Sequence, residues 1–248
     1  MYKRALVSFL LLIIVLIGCS QSEQPVVYNS ATDSGAQLVK ETTGAEECYV
    51  SFKDCNSLGD SMPTIYIEIV NAKESVQQMP LWRSTSLAAL EYLWHSGKKV
   101  FRDNESVEIK FTQAWDEMFI DSTRGSLIWM PTKHLLVADS MYHVITTILT
   151  DMKGKGFINS REVFDSILSD SILLFLDSTM LSLATPYGLA TEMSPGGFES
   201  GMTPTGETVL TIHVLESRPS LTIEHAIIFS LDKDFIVGWH CKSFVPAQ

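Results

Sequence analysis

The chain reads as an α+β fold built on a mostly antiparallel sheet. Two observations predict this. Apolar and polar residues alternate in short segments spread from residue 64 to residue 244, the period-2 signature of half-buried strands. Between the central segments, apolar residues recur at helical spacing. In order, "TIYIEIV" (64–70) places Ile65, Ile67 and Ile69 on one face of a strand. "SLAALEYLWHSG" (86–97) has helical spacing and is ended by Gly97. "SVEIKFT" (106–112) and "SLIWM" (126–130) are strands, and "SMYHVITTILTDM" (140–152) is a helix. "NSREVFDSILSD" (159–170) opens on Asn159 with Glu162 three residues later, a capping-box variant. "SILLFLD" (171–177) is a buried strand or a continued helix; periodicity does not separate the two. "ETVLTIHVLE", "SLTIEHAIIFS" and "DFIVGWHCKSF" close the chain as three strands.

The N-terminus is a targeting segment. Lys3 and Arg4 precede an apolar run from Ala5 to Ile17, which ends in Leu16-Ile17-Gly18-Cys19. The run is short of the ~20 residues that a spanning helix needs. The pattern resembles the lipobox of bacterial lipoproteins. That resemblance implies cleavage before Cys19, which then carries a lipid with fatty chains such as palmitate, and a cell-envelope location. Ser20 leaves the outer membrane open, favoured over the inner one where two membranes exist. Each buried CH₂ of an acyl chain contributes about 0.8 kcal/mol to anchoring.

The envelope permits disulfides. Cys48 and Cys55 bracket "YVSFKD" and are the expected pair, while Cys241 is expected as a buried free thiol. The net charge is −11, or −13 once Lys3 and Arg4 leave with the leader. No basic patch stands out, so nucleic acid is not an expected partner. Residues 19–45 are rich in Ser, Gln, Thr, Glu and Gly and read as a flexible tether.

Four segments in order, "MFIDSTRGSLIWM", "HVITTILTDMKGKG", "ATPYGLATEMSPGG" and "MTPTGETVLTIHVLE", resemble the FKBP-type peptidyl-prolyl isomerases over roughly residues 88–216. Gly97 and "VEIKFT" match the family's early glycine and first inner strand. Ile120-Asp121-Ser122-Thr123-Arg124 stands where the family has Phe-Asp-Ser-Ser-Arg. Val144-Ile145 matches its helix start, Tyr187-Gly188 its Tyr-Gly, and Pro204, Leu210, Ile212 and Val214 its last turn and strand. The resemblance implies an antiparallel twisted sheet wrapped around a helix. It also implies that Asp121 accepts a hydrogen bond from Tyr187 and that Ile145 offers its backbone N–H to a substrate carbonyl. Phe111, Ile120, Leu127, Val144, Ile148, Met202 and Leu210 would line a pocket for the twisted prolyl amide. Such catalysis lowers an amide rotation barrier of roughly 18–20 kcal/mol by binding the twisted form best. It needs no metal or cofactor.

The sequence departs from the family where aromatics line the pocket: Ile120, Ile148 and Leu210 are aliphatic, and Phe111 replaces a Tyr. Pro186 precedes Tyr187 where the family usually has Ala. Aliphatic residues lack the aromatic faces on which proline rings stack, so the implied activity is weak. Asp121 also reads as a turn cap and Tyr187 as a core tyrosine. Two readings follow. One is a lipid-anchored isomerase acting on proline-containing polypeptides. The other is a catalytically inactive FKBP-like binding or scaffold lipoprotein. The expected divisions are a leader (1–18), a tether (19–45), an N-terminal extension with one strand (46–87), the FKBP-like domain (88–216, with a helical insertion at about 157–170) and a C-terminal β-hairpin extension (217–248).

Three further motifs were weighed. "DMKGKGFINSRE" (151–162) mimics a calcium loop, but Lys153 and Lys155 stand where a hard cation wants oxygen ligands. In the family reading Met152 ends a helix and Gly154 and Gly156 turn the chain. His225 and His240 would face each other across an Asp-Lys turn with His213 nearby, half of a metal site, yet these histidines read as structural. "SGKK" (96–99) lacks the companion motifs of acyl-serine enzymes.

Overall fold

The computed structural model describes residues 26–53, 62–112, 126–155, 171–172, 174–175, 178–179, 182, 187–188 and 190–244. The fold is α+β with mostly antiparallel strands. Strands β1 (Val27–Asn29), β2 (Glu47–Lys53), β3 (Thr64–Val70), β4 (Ser106–Thr112) and β5 (Ser126–Pro131) form one sheet in that order. Strands β6 (Glu192–Met202), β7 (Thr208–Arg218), β8 (Leu221–Ser230) and β9 (Phe235–Phe244) form a second, as an antiparallel meander. The helices are α1 (Ser34–Thr43), the single turn α2 (Glu74–Gln77), α3 (Leu81–Ser96), the short α4 (Lys98–Arg102) and α5 (Thr132–Lys155). Strands β3 and β4 are parallel. Such a pair needs a crossover, and α2, α3 and α4 supply it.

The expected single sheet wrapped around a helix is therefore two sheets, with the strands at 106–112 and 208–218 in different ones. The reason is the number of free edges. A strand has two, and β7 pairs with β6 on one side and β8 on the other. The expected boundary at 216/217 falls inside β7, so the C-terminal hairpin is an integral half of the second sheet. The boundary at 87/88 falls inside α3, and the segment before it carries two strands, β2 and β3.

The expected tether is also corrected: from Val27 to Thr43 it is folded. Asp33 accepts a hydrogen bond from Ala36 N–H at 2.8 Å and caps α1. Gly44 closes the helix at φ +59°, the left-handed conformation that suits glycine. Small residues let α1 settle on α3: Gly35 and Ala36 are buried, and a Cβ at position 35 would stand 2.7 Å from the Tyr92 ring. Polar composition suggests a tether, but a ten-residue helix docking through small residues needs few large apolar side chains.

One core joins the layers. Ile65, Ile67, Ile69, Val107 and Ile109 line the inner face of the first sheet. Leu135, Ala138, Met141, Ile145, Ile148 and Leu149 form the buried stripe of α5, at the three- and four-residue spacing of a helix face. Leu210, Ile212, Ile227 and Phe229 complete the core from the second sheet. Helix α3 is the shared wall. It buries Ser84, Thr85, Ser86, Ala88 and Ala89, and its hydroxyls return to its own carbonyls, Thr85 Oγ1 to Leu81 O at 2.8 Å and Ser86 Oγ to Arg83 O at 3.1 Å. Ser86 Oγ also accepts the Phe198 N–H of β6 at 2.9 Å.

Cys48, expected to pair with Cys55, is a free, fully buried thiol; Cys55 lies outside the described residues. Burial, with Asp33 and Glu47 nearby, pushes the Cys48 thiol up to about 12.

If 26–45 is part of the fold, Asp33→Ala should cost about 1 kcal/mol, within the 0.5–2 kcal/mol of a lost N-cap, read from urea midpoints at unchanged m-value. A tether residue would leave the midpoint where it was.

Candidate functional site

The residues expected to line a prolyl pocket divide into two groups. Ile145 and Ile148 on α5 and Leu210 on β7 are at most 1% exposed, and Phe111 on β4 and Val144 on α5 pack against the same core. The first three are close-packed interior, and Phe111 and Val144 are half-buried at its margin. Leu127 on β5, Met202 at the end of β6 and Tyr187 are exposed and lie apart from it. Ile120, Asp121, Cys19 and Cys55 lie outside the described residues.

The expected helix start at Val144-Ile145 is corrected. Helix α5 begins at Thr132, so Ile145 stands in its interior. An interior helical N–H bonds the carbonyl four residues back, which leaves none to offer a substrate. The helix also continues through Gly154 to Lys155, where the family reading placed a turn and the calcium-like frame its first ligands. Among the described residues no group of three or more His, Cys, Asp or Glu is placed to hold a metal ion.

The second sheet carries polar chemistry that the sequence reading half anticipated. The β8–β9 connection runs from Leu231 to Asp234, longer than the Asp-Lys turn expected, with Asp234 at φ +53°. Beside the connection Ser230 still pairs with Phe235, the register a two-residue turn would set, but an irregularity between Ile228 and Phe229 shifts β9 by one residue and pairs His225 with Cys241, and His240 with Ala226. Successive strand residues point to opposite faces, so His225 is buried while His240 faces out. The expected His225–His240 pair is not formed.

In its place is a chain of contacts on the inner face. Glu216 Oε2 meets His225 Nε2 at 2.8 Å, and Arg218 Nε donates to Glu216 Oε1 at 2.8 Å. The Trp239 indole N–H donates to His225 Nδ1 at 3.2 Å, and the Cys241 sulfur lies 3.4 Å from the same nitrogen. Because the indole can only donate, Nδ1 is the acceptor and the neutral ring carries its proton on Nε2, toward Glu216. Burial alone would raise the Glu216 carboxyl, but His225 and Arg218 hold it below its ordinary value.

Thiol, imidazole and carboxylate thus stand in the order of a nucleophile, a base and its orienting group. Two facts weigh against nucleophilic work. Burial, helped by Glu216, pushes the Cys241 thiol up to about 11, whereas reactive cysteines are thiolates of lowered pKa. The indole also occupies the nitrogen that would take the thiol proton. The arrangement serves as a satisfied polar core for a sheet end that buries an Arg and a Glu. Arg218 further donates to Gly188 O at 2.9 Å, holding the Tyr187-Gly188 segment against the sheet.

A second cluster lies on the outer face. Trp82 at the start of α3 stacks on His213 with ring centres 4.7 Å apart. His213 Nδ1 lies 3.1 Å from Glu224 Oε1, and Arg83 pairs with the same carboxylate. This cluster bolts α3 to β7 and β8. Burial, then Arg83, pushes His213 down to about 4. The alternation around His213 and Glu224 was legible in the sequence; that Trp82 and Arg83 reach them from 130 or more residues away was not. No protein-family profile, curated protein or solved structure matches the chain.

The His213 shift makes a pH prediction. The unfolded chain binds this proton near pH 6.5 and the folded chain only near pH 4, so protonation favours unfolding. The stabilisation is complete above about pH 6.5 and lost progressively as pH falls toward about 4, by at most about 3 kcal/mol. His213→Phe, which keeps a ring against Trp82, should flatten urea stability between pH 6.5 and 4. An unchanged slope would assign the dependence to other groups. Glu216 acts in a lower window. Its contribution is present above the ordinary carboxylate range and lost as pH falls through its depressed value.

Proposed function

We propose that this chain is a lipid-anchored protein of the bacterial cell envelope, held through Cys19, whose folded domain works by binding envelope polypeptides and not by catalysis. One observation carries this reading. The aliphatic residues that an isomerase would place around an open cleft are used for packing, with Ile145, Ile148 and Leu210 closed inside the core. A ligand pocket must keep its apolar lining open to the ligand. The interior position of Ile145 in α5 supports the same conclusion. The anchor rests on the basic, apolar and Leu-Ile-Gly-Cys order of the leader. Among the described residues no helix is long and apolar enough to cross a membrane.

An FKBP-like fold with weak isomerase activity is the second reading. It is favoured by the ordered motif match and by Tyr187, which stands exposed beside Gly188 at φ +73°. The two readings separate in a protease-free prolyl isomerase assay on the chain from residue 26, beside Asp121→Ala and Tyr187→Phe. The binding reading expects no acceleration of cis–trans exchange. It also expects Ile145→Ala and Leu210→Ala to lower stability by about 2–5 kcal/mol, as cavity-forming substitutions do. Acceleration that falls in both site variants would replace it with the isomerase.

A further inference from the structure

The first sheet has one packed face and one face with no layer packed on it among the described residues; of its exposed apolar residues Val27, Leu127 and Trp129 stand on the second face, while Tyr28 shares the first with Val50. Val27, Ser51, Tyr66, Glu108 and Trp129 follow one another in register from β1 to β5. Leu127, opposite Lys110, lies two residues from Trp129 and so on the same face. Val26, Val27, Met62, Leu127 and Trp129 are each between 52% and 63% exposed. Val27 and Trp129 stand four strand spacings apart, roughly 19 Å, so they bracket a surface and do not form a spot.

The charges on this face are paired. Lys53 Nζ lies 2.8 Å from Glu108 and 4.6 Å from the centre of the Tyr66 ring, and Lys110 Nζ lies 3.4 Å from Glu68. The face is locally near neutral although the whole chain carries −11. Tryptophan and tyrosine favour the membrane–water interface, and lysine stems can lie along apolar surface with the ammonium in water.

The course of the chain identifies what meets this face. Six residues, seven Cα steps, separate Cys19 from Val26, so the start of β1 can stand at most about 25 Å from a lipid-bearing Cys19. Val26 and Val27 are the point where the anchored segment enters the sheet. We propose that the open face of the first sheet lies on the headgroup layer of the membrane that holds the lipid, with Val27, Leu127 and Trp129 dipping into it. This rests on the lipid anchor proposed above. It turns the second sheet, whose β9 edge is unpaired among the described residues, toward the envelope space.

The test uses the full, lipidated chain in phosphatidylcholine vesicles whose acyl chains carry bromine close to the headgroups, a contact quencher of tryptophan. Flotation with the vesicles and bromine quenching that is mostly lost in Trp129→Phe are expected. Flotation without quenching, or quenching unchanged in Trp129→Phe, overturns the orientation and leaves the anchor standing. Failure to float overturns the anchor and the orientation with it. A polarity-sensitive dye on Val27→Cys gives a second reading that does not depend on Trp129. Its emission should shift to the blue in the lipidated chain on vesicles and not in the Cys19→Ser chain. A shift in the Cys19→Ser chain that grows with protein concentration and needs no lipid would assign the face to a second copy.

Discussion

The structure depends on how closely other elements can approach α3. This helix carries Ser84, Thr85, Ser86, Ala88 and Ala89 where larger residues would hold its neighbours off. On one side α1 closes on it through Gly35. On another, β6 approaches at Gly197, where φ is +89° and a Cβ would stand 2.6 Å from Ser86 Oγ. The Phe198 N–H then finds Ser86 Oγ as its acceptor. A strand edge left open invites pairing with another chain, and here a helix hydroxyl covers part of it. Remove the small residues and both sheets lose their common wall.

The second sheet shows how strand parity distributes chemistry. Alternate residues of β7 send Glu216 and Arg218 inward and His213 outward, and β8 sends His225 inward and Glu224 outward. Two polar networks therefore stand back to back on one sheet. The inner one is closed: the described contacts of Glu216 and His225 are mutual or with Arg218, Trp239 and Cys241. The outer one leaves His213 Nε2 buried without a hydrogen-bond partner among the described residues. A neutral ring bears that cost more readily than a charged one, in keeping with its lowered pKa. A slip of one residue in the β8–β9 register exchanges the two faces of β9, and the irregularity between Ile228 and Phe229 makes that shift, setting Cys241 and not His240 against His225.

The isomerase resemblance and the packing draw on the same side chains for different ends. Val144, Ile145, Ile148 and Leu210 are apolar at helix and strand spacings that suit a pocket wall or a core face equally. The difference between the two is whether a neighbour covers them. In this fold α5 is longer than the matched segment, and it presents Ile145 and Ile148 to a core that Leu210 closes from β7.

Much of the local structure was legible in the sequence. The alternation at 64–70, 106–112, 126–130 and through the last forty residues determined strands with one apolar face, and the spacing at 86–97 and 140–152 determined helices. The tertiary structure decided which strands share a sheet, since pairing depends on which edges are still free and β6 and β8 take both edges of β7. It decided that 27–43 is folded, because the small residues that let α1 dock matter only once α3 lies beneath them. It also decided that Ile145, Ile148 and Leu210, read as pocket lining, are core. Periodicity records which face of an element is apolar; what covers that face is set by chain segments far away in sequence.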